Sequence, residues 1–159
     1  MGIHILRSRI SKAALSAVAW GVVWGLLSLP FASAAPTDLV IVAAKGFPAD
    51  SLTIEDVQNI YLGKKRAVGD TPVVAIDQSE AEHIKLEFLK RVLHLTHADY
   101  RAQLLKRRFQ EGAVTPKFAT NSAAVLKDVA TTPGAVGYVY ESELASFPGL
   151  KVLAVVPTE

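Results

Sequence analysis

Cysteine is absent from all 159 residues. Its absence excludes disulfides, thiol catalysis and a lipid-modified N-terminal cysteine, so the folded chain must be stable through packing alone. An excess of charge of either sign is missing too. Arg7, Arg9 and Lys12 belong to the N-terminal 34 residues; the other 14 of the 17 basic residues meet 15 acidic ones. A basic, nucleic-acid-binding surface is therefore not expected. Internal repeats and low-complexity segments are missing, as is a G-x-S-x-G nucleophile elbow. Ser8 separates Arg7 from Arg9, so there is no twin-arginine signal either.

What is present begins with Arg7, Arg9 and Lys12 ahead of an apolar segment from Ala13 to Leu29, followed by Ala32-Ser33-Ala34. This pattern predicts a secretory signal peptide over residues 1–34, cleaved after Ala34. The competing reading is an uncleaved membrane anchor, because the apolar stretch reaches the lower limit of about 17 residues for a spanning helix. Cleavage would leave one domain, residues 35–159, in the periplasm or outside the cell, with no membrane insertion thereafter. That length suits a single core.

The chain is organised around Val73 to Leu93. A short apolar run, Val73 to Ile76, ends in Asp77-Gln78-Ser79 and opens a helix. The pattern predicts strand, tight turn, helix. Ser79 and Glu82 have capping-box spacing, which predicts a helix starting just after Ser79. Ile84, Phe88, Val92 and Leu95 give it a buried face. Such a turn offers backbone N–H groups at a helix N-terminus, where an anion can bind.

Around that stretch, Leu39 to Ala44 reads as a central strand. A Thr53–Asp56 pair, with Leu52 stapled to Val57, starts a helix at Ile54 that Gly63 ends. The triplet Lys64-Lys65-Arg66 reads as a solvated loop or a ligand patch. Thr96, with Asp99 at the third position, predicts a helix to about Gln110 with Leu104 and Leu105 on its inner side and a basic far end. Gly112 to Phe118 reads as a surface loop. Asn121 caps a helix carrying Val125, Leu126 and Val129, which Pro133-Gly134 terminates. Ala135 to Tyr140 and Val152 to Val156 complete the strand candidates. This alternation predicts an α/β fold with helices over the faces of a sheet.

Three segments resemble the phosphate ABC-transporter substrate-binding proteins, a family with the periplasmic-binding-protein-like fold. Asp56 to Lys64 (DVQNIYLGK) is similar to the family's helix ending in aromatic-Leu-Gly-Lys. Pro133 to Val139 (PGAVGYV) is similar to its Pro-Gly-Ala-Ile-Gly-Tyr-Val segment. The turn after Ile76 sits where the family has Arg-x-Asp-Gly-Ser-Gly-Thr: Asp77 and Ser79 agree, while Ala75, Gln78, Glu80 and Ala81 replace its Arg, both glycines and its Thr. The resemblance implies a single lobe of that fold, a mixed sheet flanked by helices, binding phosphate or a related oxyanion without chemistry. The expected contacts are the amides of Gln78, Ser79, Glu80 and Ala81, the Ser79 hydroxyl, Asp77 as acceptor from a protonated phosphate, and Lys45 from the preceding strand end. The implied partner is an ABC-transporter permease or another envelope protein. Glu80 and Glu82 bring carboxylates to the same helical turn, where they repel an anion. They leave open an accessory interaction module that has lost anion binding.

Neither cofactor nor metal is expected. His94 and His97 are three apart, but Thr96 caps a new helix between them, so with His83 they read as surface histidines. Ser79, His83 and Asp77 could be imagined as a hydrolytic triad, yet capping accounts for Ser79 without catalysis.

Overall fold

The computed structural model describes residues 38–109 and 114–157. The expected signal peptide lies outside them. Among the described residues, no helix is long and apolar enough to cross a membrane.

Strand β1 (Leu39–Ala44) is buried on both sides: Leu39, Ile41 and Ala43 join one apolar cluster, Val40 and Val42 another. Successive side chains of a strand point to opposite faces, so a continuous apolar run marks a strand covered twice. The sheet has the order β5-β4-β6-β1-β7. It is mixed: β4 (Val74–Gln78) runs parallel to β5 (Lys117–Ala119) and β6 (Ala135–Tyr140), while β1 is antiparallel to β6 and to β7 (Leu150–Val156). A two-stranded hairpin, β2 (Ala67–Val68) with β3 (Thr71–Pro72), precedes β4.

One face carries α1 (Ile54–Tyr61), α2 (His83–Phe88) with the single π-turn Leu89–Leu93 that continues it, and α3 (His97–Arg108). The other face carries α4 (Ser122–Thr131), through Val125, Leu126 and Val129. Local chemistry sets the helix starts. Thr53 and Asp56 form a reciprocal capping box, Thr96 accepts from the Asp99 N–H at 3.1 Å, and Asn121 accepts from the Ala124 N–H at 3.0 Å. Gly63, at φ +63°, follows the Leu62 cap of α1 as the C′ residue.

The Pro133–Val139 segment has a packing explanation. Gly134 has φ +74°, and a Cβ there would lie 2.0 Å from the Pro72 carbonyl oxygen. At Gly137 it would lie 2.5 Å from Val125 Cγ1, so α4 rests directly on the β6 backbone. Gly134→Ala is expected to destabilise the fold by about 2–5 kcal/mol, the left-handed penalty added to an overpacking cost. A lowered urea midpoint at unchanged slope checks it; an unchanged midpoint would mean that the hairpin does not hold Pro72 against Gly134.

Three expectations are corrected. β4 extends through Gln78, and α2 starts at His83 with Glu82 as a cap that makes no side-chain hydrogen bond, so the Ser79–Glu82 capping box does not form. The reason is β5, whose Lys117 and Phe118 fall in the segment read as a loop: the Ser79 N–H donates to the carbonyl of its last residue, Ala119, at 3.0 Å, holding Ser79 to the sheet and delaying the helix. On α3, Leu104 packs on the core but Leu105 is 57% exposed; Tyr100 is the deeply buried residue. That helix ends at Arg108, and Gln110 lies outside the described residues.

Candidate functional site

Strand alternation decides what Asp77 and Gln78 do. Asp77 points to the face of α2 and α3, Gln78 to the face of α4, and both are fully buried. The register pairs Ala75 with Val136, which brings Tyr138 of β6 level with Asp77. The Tyr138 hydroxyl donates to Asp77 Oδ1 at 2.7 Å and accepts from the Gln78 N–H at 3.2 Å. Asp77 Oδ1 also accepts from the Gln78 N–H at 2.9 Å. Asp77 Oδ2 accepts from the Tyr100 hydroxyl at 3.1 Å and from the Lys85 ammonium. A carboxylate offers about four acceptor positions, and four donors fill them.

Lys85 is 1% exposed. Its Nζ lies 4.4 Å from the centroid of the Tyr100 ring and 6.0 Å from that of Phe118. Burial pushes its pKa below the ordinary 10.5, against the opposing pull of Asp77. Burial and the Asp77 charge push the Tyr100 and Tyr138 hydroxyls upward. Tyr138 is fixed from behind by the Phe88 ring, stacked at 4.0 Å and 2°. Tyr61 packs on Phe88 and donates to the Ile76 and Val136 carbonyls at 2.9 and 3.2 Å. On the opposite face the Gln78 amide donates to the Tyr138 carbonyl at 2.8 Å and to the Ser122 hydroxyl at 3.3 Å.

Beyond Gln78 the chain turns. The Glu82 N–H donates to the Ser79 carbonyl at 3.1 Å, and the Ala81 N–H donates to the Ser79 hydroxyl at 3.4 Å. Ser79 is half-buried; Glu80 and Ala81 are exposed. Glu80 lies 3.7 Å from His97 Nδ1 and 3.8 Å from Arg101 Nε. The amides expected to face an anion at Gln78, Ser79 and Ala81 are thus already donated within the protein.

The expected site residues therefore divide into three. Asp77 and Gln78 are a buried framework rather than a ligand-facing surface, because their polar atoms are occupied and shielded. Ser79, Glu80 and Ala81 form a rim at the carboxyl ends of the parallel strands β4, β5 and β6. Lys45 follows β1, which runs antiparallel to β6, and so lies at the opposite end of the sheet. The sequence reading missed Lys85, Tyr100 and Tyr138. Lys85 was detectable, because Leu89 and Val92 follow it at i+4 and i+7 along the buried stripe, and a lysine in that stripe requires a partner.

The histidines separate. His83 Nδ1 lies 3.2 Å from the Tyr140 hydroxyl, and His94 ends the π-turn in a left-handed conformation. Among the described residues, no group of three or more metal-ligating side chains converges.

This mixed sheet, with helices on both faces, is one lobe of the periplasmic-binding-protein-like fold. Its solved neighbours include an ABC-type phosphate transport receptor from Vibrio cholerae, at TM-score 0.58 and 17% identity, aligned over 74% of this chain and 45% of that one. PstS from Borrelia burgdorferi is similar at TM-score 0.56 and 16% identity, over 74% and 47%. A phosphate ABC transporter substrate-binding protein from Clostridium perfringens with bound phosphate is similar at TM-score 0.55 and 17% identity, over 77% and 56%. The chain thus spans about half the length of these neighbours. No protein-family model matches the sequence, and no curated protein matches it either.

Proposed function

We propose that this protein is an exported solute-binding protein that holds phosphate or a related oxyanion at the rim formed by Ser79, Glu80 and Ala81, without converting it, and works with an ABC-transporter permease. The observation that carries this reading is the shared fold with phosphate-transport receptors over three quarters of the chain. The rim's position supports it, since open α/β sheets bind ligands outside the carboxyl ends of parallel strands. Asp77 and Gln78 serve by holding the turn, and Lys45 takes no part.

Isothermal titration of the purified protein with phosphate, against sulfate, tests the proposal. Saturable binding that prefers phosphate is expected. Glu80→Gln should tighten it about fivefold, by removing the ~1 kcal/mol that water leaves between like charges about 4 Å apart. Ser79→Ala should weaken it. No saturable heat at millimolar phosphate, a level matching about −4 kcal/mol, would favour the accessory interaction module instead. That second reading is supported by the turn amides being donated internally.

A further inference from the structure

We infer that a cleft between α3 and residues 115–118, which adjoins the oxyanion rim and shares Glu80 with it, binds an amphipathic organic anion: a carboxylate or phosphate head on an apolar body. The cleft has a volume of about 460 Å³. That size suits a small organic molecule rather than an inorganic ion. Arg101, Leu104, Leu105 and Arg108 form its α3 wall, at the i, i+3, i+4, i+7 spacing of one helix face. Thr115 and Phe118 face them across the opening.

Charge and apolar surface are separated along this wall. Arg101 and Arg108 are seven residues apart, or about 10 Å along the axis. Glu80 stands at the Arg101 end and offsets it, at 3.8 Å. The neighbouring cations are engaged as well: Lys85 with Asp77, Lys117 with Asp128 at 3.1 Å, and Arg107 with the Gly63 carbonyl at 3.1 Å. Among the described residues, Arg108 and Lys106 have no such partner, and of these two it is Arg108 that lines the cleft. The C-terminal dipole of α3 amounts to about half a negative charge, which the three cations of the last turn, Lys106, Arg107 and Arg108, outweigh. An anionic head therefore belongs at Arg108, with Thr115 in the same lining.

The apolar body belongs between them. Leu105 and Phe118 are 57% and 58% exposed, large apolar side chains open to water on facing sides of one cleft. An apolar body lying across them recovers area that the folded chain leaves wet. A guanidinium pairs with carboxylate and phosphate alike through its planar fork, so the geometry names an anionic head without choosing between the two.

The test is titration of the whole protein with phenyl phosphate and with benzoate, in a millimolar background of inorganic phosphate that fills the rim, using benzyl alcohol and acetate as controls that lack the charge and the apolar body respectively. At least one aromatic anion is expected to bind ten times or more tighter than either control, and the tighter of the two identifies the head group. Arg108→Gln and Phe118→Ala, both exposed positions, should each weaken that binding about tenfold, whereas Ser79→Ala should leave it unchanged. The inference is overturned if neither aromatic anion saturates, if acetate binds as tightly as the tighter aromatic anion, or if Arg108→Gln has no effect. Inorganic phosphate bound in a Ser79-dependent way, without the aromatic preference, would remove this site and leave the oxyanion rim standing.

Discussion

Lys85→Met is expected to destabilise the protein by about 3–5 kcal/mol, because it leaves the Asp77 carboxylate buried without its counter-ion. The two tyrosine hydroxyls and one amide that remain on Asp77 cannot supply a charge. Asp77→Asn should cost a similar amount for the mirror reason, stranding an ammonium at a site 1% exposed. The double variant Lys85→Met/Asp77→Asn removes both charges and should recover most of the loss, since a well-packed neutral pair often equals a buried ion pair. Urea midpoints of the four proteins close the cycle and give the coupling directly. Single variants each within about 1 kcal/mol of the parent would show that the pair is hydrated rather than buried.

The second large effect is alkaline unfolding. Tyr61, Tyr100 and Tyr138 all have folded-state pKa values above the ordinary 10, chiefly through burial and then through the Asp77 charge. A pKa raised by folding means that the folded chain keeps a proton the unfolded chain has lost. The stability this confers is complete below about pH 10 and falls as the pH rises beyond it. Each tyrosine contributes a slope of about 1.4 kcal/mol per pH unit, so three give about 4 kcal/mol per unit. Lys85 acts with the opposite sign. Its lowered folded pKa makes stability rise with pH between that value and about 10.5, beyond which it is neutral in both states. One opposing group against three cannot cancel the loss. Tyrosinate absorbance and far-ultraviolet circular dichroism followed together through this range should show three of the four tyrosines ionising only as helix signal is lost, with the half-buried Tyr140 outside that step. Ionisation of all four near pH 10 with the helix signal intact would contradict the buried cluster.

The cluster also gives the Pro133–Val139 segment a physical meaning. Gly134 admits the Pro72 carbonyl, Gly137 admits α4, and Tyr138 supplies a hydroxyl to Asp77. Each residue is held by a different part of the chain. A one-residue slip of β6 would turn Tyr138 toward α4 and place a side chain where Gly137 must be bare. The segment therefore keys β6 to its neighbours on both faces.

Much of the architecture was legible from local pattern. The apolar runs of β1 and β6 have the predicted bounds, and Thr53, Thr96 and Asn121 cap the helices they were expected to cap. These features are decided within a few residues, by alternation and by a side-chain oxygen reaching a nearby N–H. The candidate site was legible only in part, in the rim of Ser79, Glu80 and Ala81. Asp77 was visible as a polar residue at a strand end, but its four donors come from positions 78, 85, 100 and 138.

The sequence by itself thus determined the α/β order, the strands that are covered twice and the residues that begin most helices, because those outcomes depend on short-range periodicity and capping. The tertiary structure alone decided that Ser79 stays bound to β5 instead of capping α2, that Lys85 is buried against Asp77, and that Lys45 lies at the far end of the sheet. All three follow from strand pairing and direction. A three-residue strand has too little periodicity to announce itself, yet its backbone hydrogen bond to Ser79 overrides a local cap, and an antiparallel β1 carries its last residue away from the ends of β4 and β6.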